Sequence, residues 1–341
     1  MPKGLLTVGG TLDLSQFWPL GESDADTTKL LITVSAGAFQ FQSSKSAAPQ
    51  PTRAFDGAWV KGAGGKKAVI DKKNRITVRL QGIDAPELHY APAPLTKKTG
   101  VTPEMRAALK AVNHKYRQHW GQSAAKALLD MLSTLGHGPL DCTFVTAADH
   151  PTDVCDKYGR CVGDVVVEAG GKKININRWV LAEGWAAPSF YNSMTKPEIT
   201  VLAKLAAKAQ AAGKGIWPDY SAKVGAFNFN LRYTAGKQTP GFETGDDRGA
   251  LIMPKLYRRQ TTWACYKKAG IAANTFAQYL KALNERFYLT ADYLASGAGA
   301  PWQKLGAFVK ASQFTLDPGA MVLEEAESTL YSAAGQPVTA W

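Results

Sequence analysis

Long hydrophobic runs are missing from this chain. No stretch of about 18 apolar residues occurs among its 341 residues, which excludes a membrane-spanning helix, and no membrane partner is expected. The opening, Met1-Pro2-Lys3-Gly4-Leu5-Leu6-Thr7-Val8-Gly9-Gly10, is too short and too rich in glycine for a signal-peptide core. A cytoplasmic location is therefore expected, or export by a specialised route that leaves no such mark. Cysteine is scarce as well. The four present, Cys142, Cys155, Cys161 and Cys265, form no Cys-x-x-Cys pair, which argues against a zinc ribbon or a dithiol redox motif. They are expected to be reduced. Acidic residues are outnumbered, 28 Asp and Glu against 40 Lys and Arg, for a formal charge of +12. An imbalance of that size favours an anionic partner, nucleic acid being the commonest. Internal repeats are absent. With 45% apolar and 20% charged residues, the composition is that of a globular chain, long enough for two domains of about 150 residues each.

Periodicity supplies the outline. Thr11 to Phe17 alternates, Pro19 and Gly21 break the run, and Leu30 to Val34 reads as a second strand. Residues 35–67 are rich in Ser, Ala, Pro, Gly and Lys and read as a long excursion or a floppy hairpin. Lys61 to Lys67 lacks the Gly-Lys-Ser/Thr of a phosphate-binding loop and reads as a hairpin tip. Val69 to Leu80 returns to a strand, with Ile76, Val78 and Leu80 on one face and Thr77, Arg79 and Gln81 on the other. Residues 103–135 look helical in two pieces broken near Gly121, and the first piece, Glu104 to Trp120, carries His114 and His119. Strands are expected over Cys142–Val145 and Cys161–Val167, and helices over 176–183 and 198–212. Beyond about residue 221 the composition shifts to Asn, Gly, Thr and Pro, then to aromatic-rich helices in which Phe276, Tyr279, Leu280 and Leu283 share a face.

Four segments carry chemistry: Asp24-Ala25-Asp26-Thr27, the run Arg79 to Glu87, Asp156-Lys157-Tyr158-Gly159-Arg160, and the Asn177 helix with Gly215-Ile216-Trp217 after it. Asp26, Asp84 and Glu87 are hard oxygen donors beside strand ends, a set that suits Ca²⁺ or Mg²⁺. Arg79 and Arg160 bring forked guanidinium groups that match phosphate oxygens. A hard cation, two arginines and a spare carboxylate are the parts needed to cleave a phosphodiester. Each segment alone has a plain structural reading as a turn or a solvated face.

Their order resembles the staphylococcal nuclease (thermonuclease) family over roughly residues 10–218. Arg-Leu-x-Gly-Ile-Asp-Ala-Pro-Glu at 79–87 is the most specific match and Asp-Lys-Tyr-Gly-Arg at 156–160 the second. The resemblance implies an α+β fold, a five-stranded OB-fold-like barrel with three helices, followed by a mainly helical C-terminal domain that matches nothing recognised. It divides the chain into residues 1–220, with an insertion at about 35–67, and residues 221–341. It also implies Ca²⁺-dependent hydrolysis of DNA or RNA to 3′-phosphate and 5′-hydroxyl ends.

Carried over by position, Arg79 would hold the scissile phosphate, Glu87 would act as general base, and Arg160 would stabilise the transition state. Asp26 and Asp84, with the carbonyl of Ala85, would bind Ca²⁺. Lys157 and Tyr158 would contact the neighbouring phosphate, while Phe190, with Tyr191 as a substitute, would stack on a base. Asp26 is preferred to Asp56, because the Asp56 alignment puts Ala58 where a metal aspartate is required. Single-stranded DNA or RNA is the favoured partner, and the C-terminal domain is expected to bind nucleic acid or a protein. The alternative is a barrel of this kind that binds without cutting.

Overall fold

The structure, a computed structural model, describes residues 3–15, 23–32, 38–62, 65–95, 100–233, 251–326 and 328–341. The expectations that touch Phe17, Pro19, Gly21, Val34 and the tip at 63–64 lie outside those residues. The glycine-rich start is itself a strand, β1 (Gly4–Leu12), because Leu6, Val8 and Leu12 alternate into the interior. It is followed by β2 (Thr27–Ile32), β3 (Phe39–Gln42), β4 (Gln50–Thr52), β5 (Trp59–Gly62), β6 (Gly65–Ala68), β7 (Arg75–Leu80) and β8 (Gly82–Asp84). Then come the helices α1 (Pro103–Val112) and α2 (Gly121–Ser133), and the long strands β9 (Leu140–Ala148) and β10 (Cys161–Ala169).

Five of these strands close a barrel. β1 pairs antiparallel with β2 and with β9, β2 with β7, and β9 with β10; β7 and β10 close the ring in parallel. Burial alternates along β7, with Ile76, Val78 and Leu80 inside. The described residues of the insertion form four strands. β3 takes over the β1 edge where β2 leaves it, β4 pairs with β3, and β5 and β6 form a hairpin.

Sequence-local signals place the helices. After β11 (Lys172–Asn175), the Asn175 side chain caps α3 (Ile176–Ala182) by accepting from the Arg178 amide. Beyond β12 (Ala187–Tyr191), Thr195 and Glu198 form a capping box that starts α4 (Lys196–Ala211). Buried Asn177 accepts from the Val165 amide and donates to the Gln81 and Gly163 carbonyls, so α3 is tied to both parallel barrel strands. The first expected helix is shorter than its pattern suggested. It ends at Val112, which leaves His114 and His119 in the non-helical stretch before Gly121.

The C-terminal third contains α5 (Pro254–Lys268), α6 (Phe276–Leu283), β13 (Arg286–Leu289), α7 (Thr290–Ser296), β14 (Trp302–Lys304), β15 (Val309–Lys310), β16 (Gln313–Phe314), β17 (Met321–Leu323) and β18 (Leu330–Tyr331). Phe276 and Leu280 form the buried face of α6. The strands enter sheets begun by the first two thirds: β17 lies between β12 and β13 in the order β14-β13-β17-β12-β8, and β18 pairs with β5. At the end of the chain the Trp341 ring stacks on Phe41 at 3.9 Å between centroids. All four cysteines are buried thiols. Among the described residues no helix is long and apolar enough to cross a membrane.

Candidate active site

The site begins where β7 ends. Gly82 turns the chain from β7 into β8 at φ +77°, a conformation that side chains resist, and a Cβ there would meet Leu202 Cδ1 at 2.3 Å. β8 finishes at Asp84, and the loop Ala85-Pro86-Glu87 follows. The turn before β2 comes alongside through barrel pairing, with Thr27 opposite Arg79 and the Leu80 amide donating to the Asp26 carbonyl at 2.8 Å. Asp26 Oδ2 accepts from the Ala85 amide at 2.7 Å and pairs with Arg79 Nη1, and its Oδ1 accepts from Thr27 Oγ1 at 3.1 Å. Asp24 Oδ1 accepts from the Leu88 amide at 2.7 Å. Two aspartates of one turn thus hold the 85–88 loop by its backbone. On the far side, a Cβ on Gly121 would sit 2.7 Å from the Glu87 carbonyl oxygen, so only glycine lets α2 begin this close.

Asp26, Arg79, Asp84 and Glu87 therefore converge. Arg79 Nη2 donates to Asp84 Oδ1 at 2.7 Å and to the Ile83 carbonyl at 3.1 Å. Asp56, the competing aspartate, lies in the turn ahead of β5, between buried Phe55 and the β5–β6 hairpin; its amide donates to the Arg53 carbonyl.

A residue that sequence reasoning missed completes the cluster. Arg258, on α5, donates from Nη1 to Asp84 Oδ1 and from Nη2 to Asp84 Oδ2, each at 3.0 Å, and Nη1 also pairs with Glu87 Oε1. Tyr257 Oη donates to the Arg117 carbonyl at 2.6 Å and Gln118 Nε2 donates to the Ile252 carbonyl, which ties α5 and the residue pair before it to the stretch between α1 and α2. Gln118 Oε1 also accepts from the Glu87 amide at 3.1 Å. In the sequence Arg258 stands only as one of the basic residues, with Arg259, Lys267 and Lys268, that interleave with Tyr257, Trp263 and Tyr266, and nothing there marks it as the one that turns to the barrel.

Burial dominates the electrostatics, and the arginines decide which carboxylates yield to it. Asp84 is fully buried, yet Arg258 and Arg79 outweigh the desolvation and hold its carboxyl below the usual range. At Glu87 burial wins over Arg258, and the charges of Asp24, Asp84 and Asp26 add to it; its carboxyl is pushed up to about 8. Burial and the Asp26 charge lift Asp24 to about 7.

The remaining expected residues are placed as follows. Arg160 directly precedes β10, whose Cys161–Gly163 segment runs alongside Val78–Leu80. Its guanidinium is turned to Asp156, with Nε and Nη2 each 2.7 Å from Oδ2, and not into the carboxylate cluster. Asp156 Oδ1 also accepts from the Tyr158 and Arg160 amides and so shapes the turn. Lys157 is exposed, and Tyr158, 58% exposed, has the Lys157 ammonium 5.3 Å from its ring. Phe190 is a correction. It is completely buried in the core beneath the β12–β17 pairing and offers no face to a base. Tyr191 is half-buried against the C-terminal core.

The donor chemistry of Asp26, Asp84 and Glu87 suits a hard divalent cation. As arranged, however, these oxygens face guanidinium groups and the Ala85 amide, and Arg258 fills the space between Asp84 and Glu87. Among the described residues no group of three or more His, Cys, Asp or Glu side chains is disposed to hold a metal ion.

Residues 77–219 match the family model described as staphylococcal nuclease homologue, and the rest of the chain is unrecognised. The matched segment contains Arg79, Asp84, Glu87 and Arg160; Asp26 and Arg258 lie outside it. No curated protein matches the chain.

Proposed function

We propose that this protein, with its nuclease-family segment over residues 77–219, hydrolyses phosphodiester bonds of DNA or RNA with Ca²⁺ and leaves 3′-phosphate and 5′-hydroxyl ends. The supporting observation is the convergence of Asp26, Arg79, Asp84 and Glu87, drawn from two distant segments into one cleft at the barrel wall. In this reading Arg79 binds the scissile phosphate and Glu87 accepts a proton from the attacking water. Arg160 swings from Asp156 to the phosphate as charge builds on it. Asp26 and Asp84, with the Ala85 carbonyl, would hold Ca²⁺, which supplies positive charge to the phosphate oxygens. Lys157 and Tyr158, exposed on the neighbouring turn, would receive the next phosphate of a single strand. The C-terminal third engages nucleic acid or a protein partner, and the cytoplasm is the proposed location.

A second reading is favoured by one observation. Arg258 neutralises Asp84 and Glu87 from within, as a barrel that binds nucleic acid without cutting it would permit. Plasmid nicking by the full chain separates the two: cleavage with Ca²⁺ that stops in EGTA supports the nuclease, and binding without cleavage over a wide range of Ca²⁺ supports the module.

A further inference from the structure

We propose that Arg258 is the resident cation of the carboxylate cluster, engaging both oxygens of Asp84, a carboxylate that a divalent cation here would need, and so setting the affinity of the site for Ca²⁺. The choice of Ca²⁺ rests on the nuclease reading; the competition itself rests on contacts in this chain.

Three observations carry it. First, the contact is a fork. Both oxygens of Asp84 and one of Glu87 accept from the same guanidinium, so an ion that takes these carboxylates must break charge-assisted bonds and not merely displace solvent. Second, the neighbouring basic side chains of α5 go elsewhere. Arg259 Nε donates to Glu285 Oε1 at 2.9 Å, and Lys255 lies 3.9 Å from Glu285 Oε2. Arg258 alone of the three enters the barrel cluster, so the pairing is specific to one position and is not a general attraction of a basic helix. Third, the helix is anchored while its arginine tip is not sealed. Tyr257 and Gln118 bind across the interface, but the Arg258 side chain keeps 23% of its surface exposed. A cation can therefore be admitted by rotation of one side chain, without undocking α5.

Removing the guanidinium should leave buried Asp84 with Arg79 as its remaining ion-pair partner among the described residues, an under-compensated state that a cation relieves. The experiment is calorimetric titration of the full chain with Ca²⁺ alone, comparing wild type, Arg258→Gln and Arg259→Gln. Arg258→Gln is expected to bind Ca²⁺ about tenfold more tightly or better, since the ion then has only the Arg79 contacts and no longer the Arg258 fork to displace. Arg259→Gln should match wild type. If Arg258→Gln does not fold, Arg258→Lys keeps the charge and loses the fork; Ca²⁺ should then raise its melting temperature more than that of wild type. Equal Ca²⁺ affinity in wild type and Arg258→Gln, or an equal melting shift in wild type and Arg258→Lys, overturns the proposal. If Arg258→Gln binds Ca²⁺ more tightly while neither protein cuts DNA or RNA, the proposal stands and the nuclease reading falls.

Discussion

Arg258 and Asp84, 174 residues apart in the chain, meet fork to fork, Nη1 on Oδ1 and Nη2 on Oδ2 at 3.0 Å each. The pair joins the part of the chain that matches a family to the part that does not. It places a side chain of the C-terminal third directly on the carboxylate cluster of the barrel.

Glu87→Gln keeps the shape of the side chain and removes the base. Under the nuclease reading, cleavage should fall by about 10²–10⁴-fold with nucleic-acid binding retained. The comparison is initial cleavage rate against anisotropy-measured affinity on the same single-stranded oligonucleotide. An unchanged rate would reject the role.

The two candidate aspartates separate cleanly. Asp26→Asn should abolish Ca²⁺-dependent cleavage, because Asp26 holds both the Ala85 amide and Arg79. Asp56→Ala, in the turn before β5, should leave cleavage intact and change stability by no more than about 0.5 kcal/mol. Loss of activity in Asp56→Ala with retention in Asp26→Asn would reverse the assignment.

From sequence, a fragment of residues 1–220 is expected to keep the chemistry. The pairing of β12 with β17 and of β5 with β18 changes that expectation. The fragment would lose Arg258 from buried Asp84, leaving it with Arg79 alone among its described ion-pair partners, and it would uncover one edge of β12. Circular dichroism and gel filtration should show a fragment without a cooperative melt, or an aggregate. A sharp melt near that of the full chain would show that the barrel is self-sufficient.

Asp164 Oδ2 accepts from Asn175 Nδ2 at 2.6 Å, and burial pushes its carboxyl up to about 6. Its folded-state pKa therefore exceeds the unfolded value, so the folded protein keeps that proton longer. This favours folding at low pH, and the benefit is lost as pH rises from about 4 to about 6. Asp164→Asn should be more stable than wild type at pH 7, by up to about 3 kcal/mol for two pKa units, with the gap closing toward pH 4. Urea unfolding of both proteins across that range tests it; a gap independent of pH would refute it.

The β5–β6 hairpin puts exposed Lys61, Lys66 and Lys67 beside the Asp156–Arg160 turn, where a Cβ on Gly159 would lie 2.9 Å from Lys67 Cβ. Replacing Lys66 and Lys67 by Gln should weaken single-strand binding for all sequences alike. The slope of log affinity against log salt should become shallower by about 0.7 for each phosphate that is no longer neutralised. An unchanged slope would place the strand elsewhere.

The parts legible in the sequence share a property: they depend on neighbours close in the chain. Arg79, Asp84 and Glu87 lie within nine residues, so a strand, a glycine turn and a short loop place them together. Asp26 was preferred to Asp56 because the Asp56 alignment puts Ala58, which has no side-chain oxygen, where a metal aspartate is required. The strands of the C-terminal third were not legible. They are two to four residues long, too short for alternation to register, and they exist because longer strands elsewhere offer them an edge.

By itself the sequence showed the alternation of β7 and parts of β9 and β10, and its motifs implied the barrel by resemblance, while the first strand, β1 (Gly4–Leu12), starts seven residues before the expected Thr11. Only the tertiary structure decided what fills the cleft. Nothing local distinguishes Arg258 from Arg259; one reaches Asp84 and the other Glu285 because α5 docks at a single rotation, held by Tyr257 on Arg117 and Gln118 on Ile252. Phe190 lost its expected role for the same reason, since β17 arrives from 132 positions later in the chain to cover β12, pairing Val322 with Phe190. Burial and pairing across such separations depend on the packing of whole elements against one another, and that packing decides which charges meet out of water.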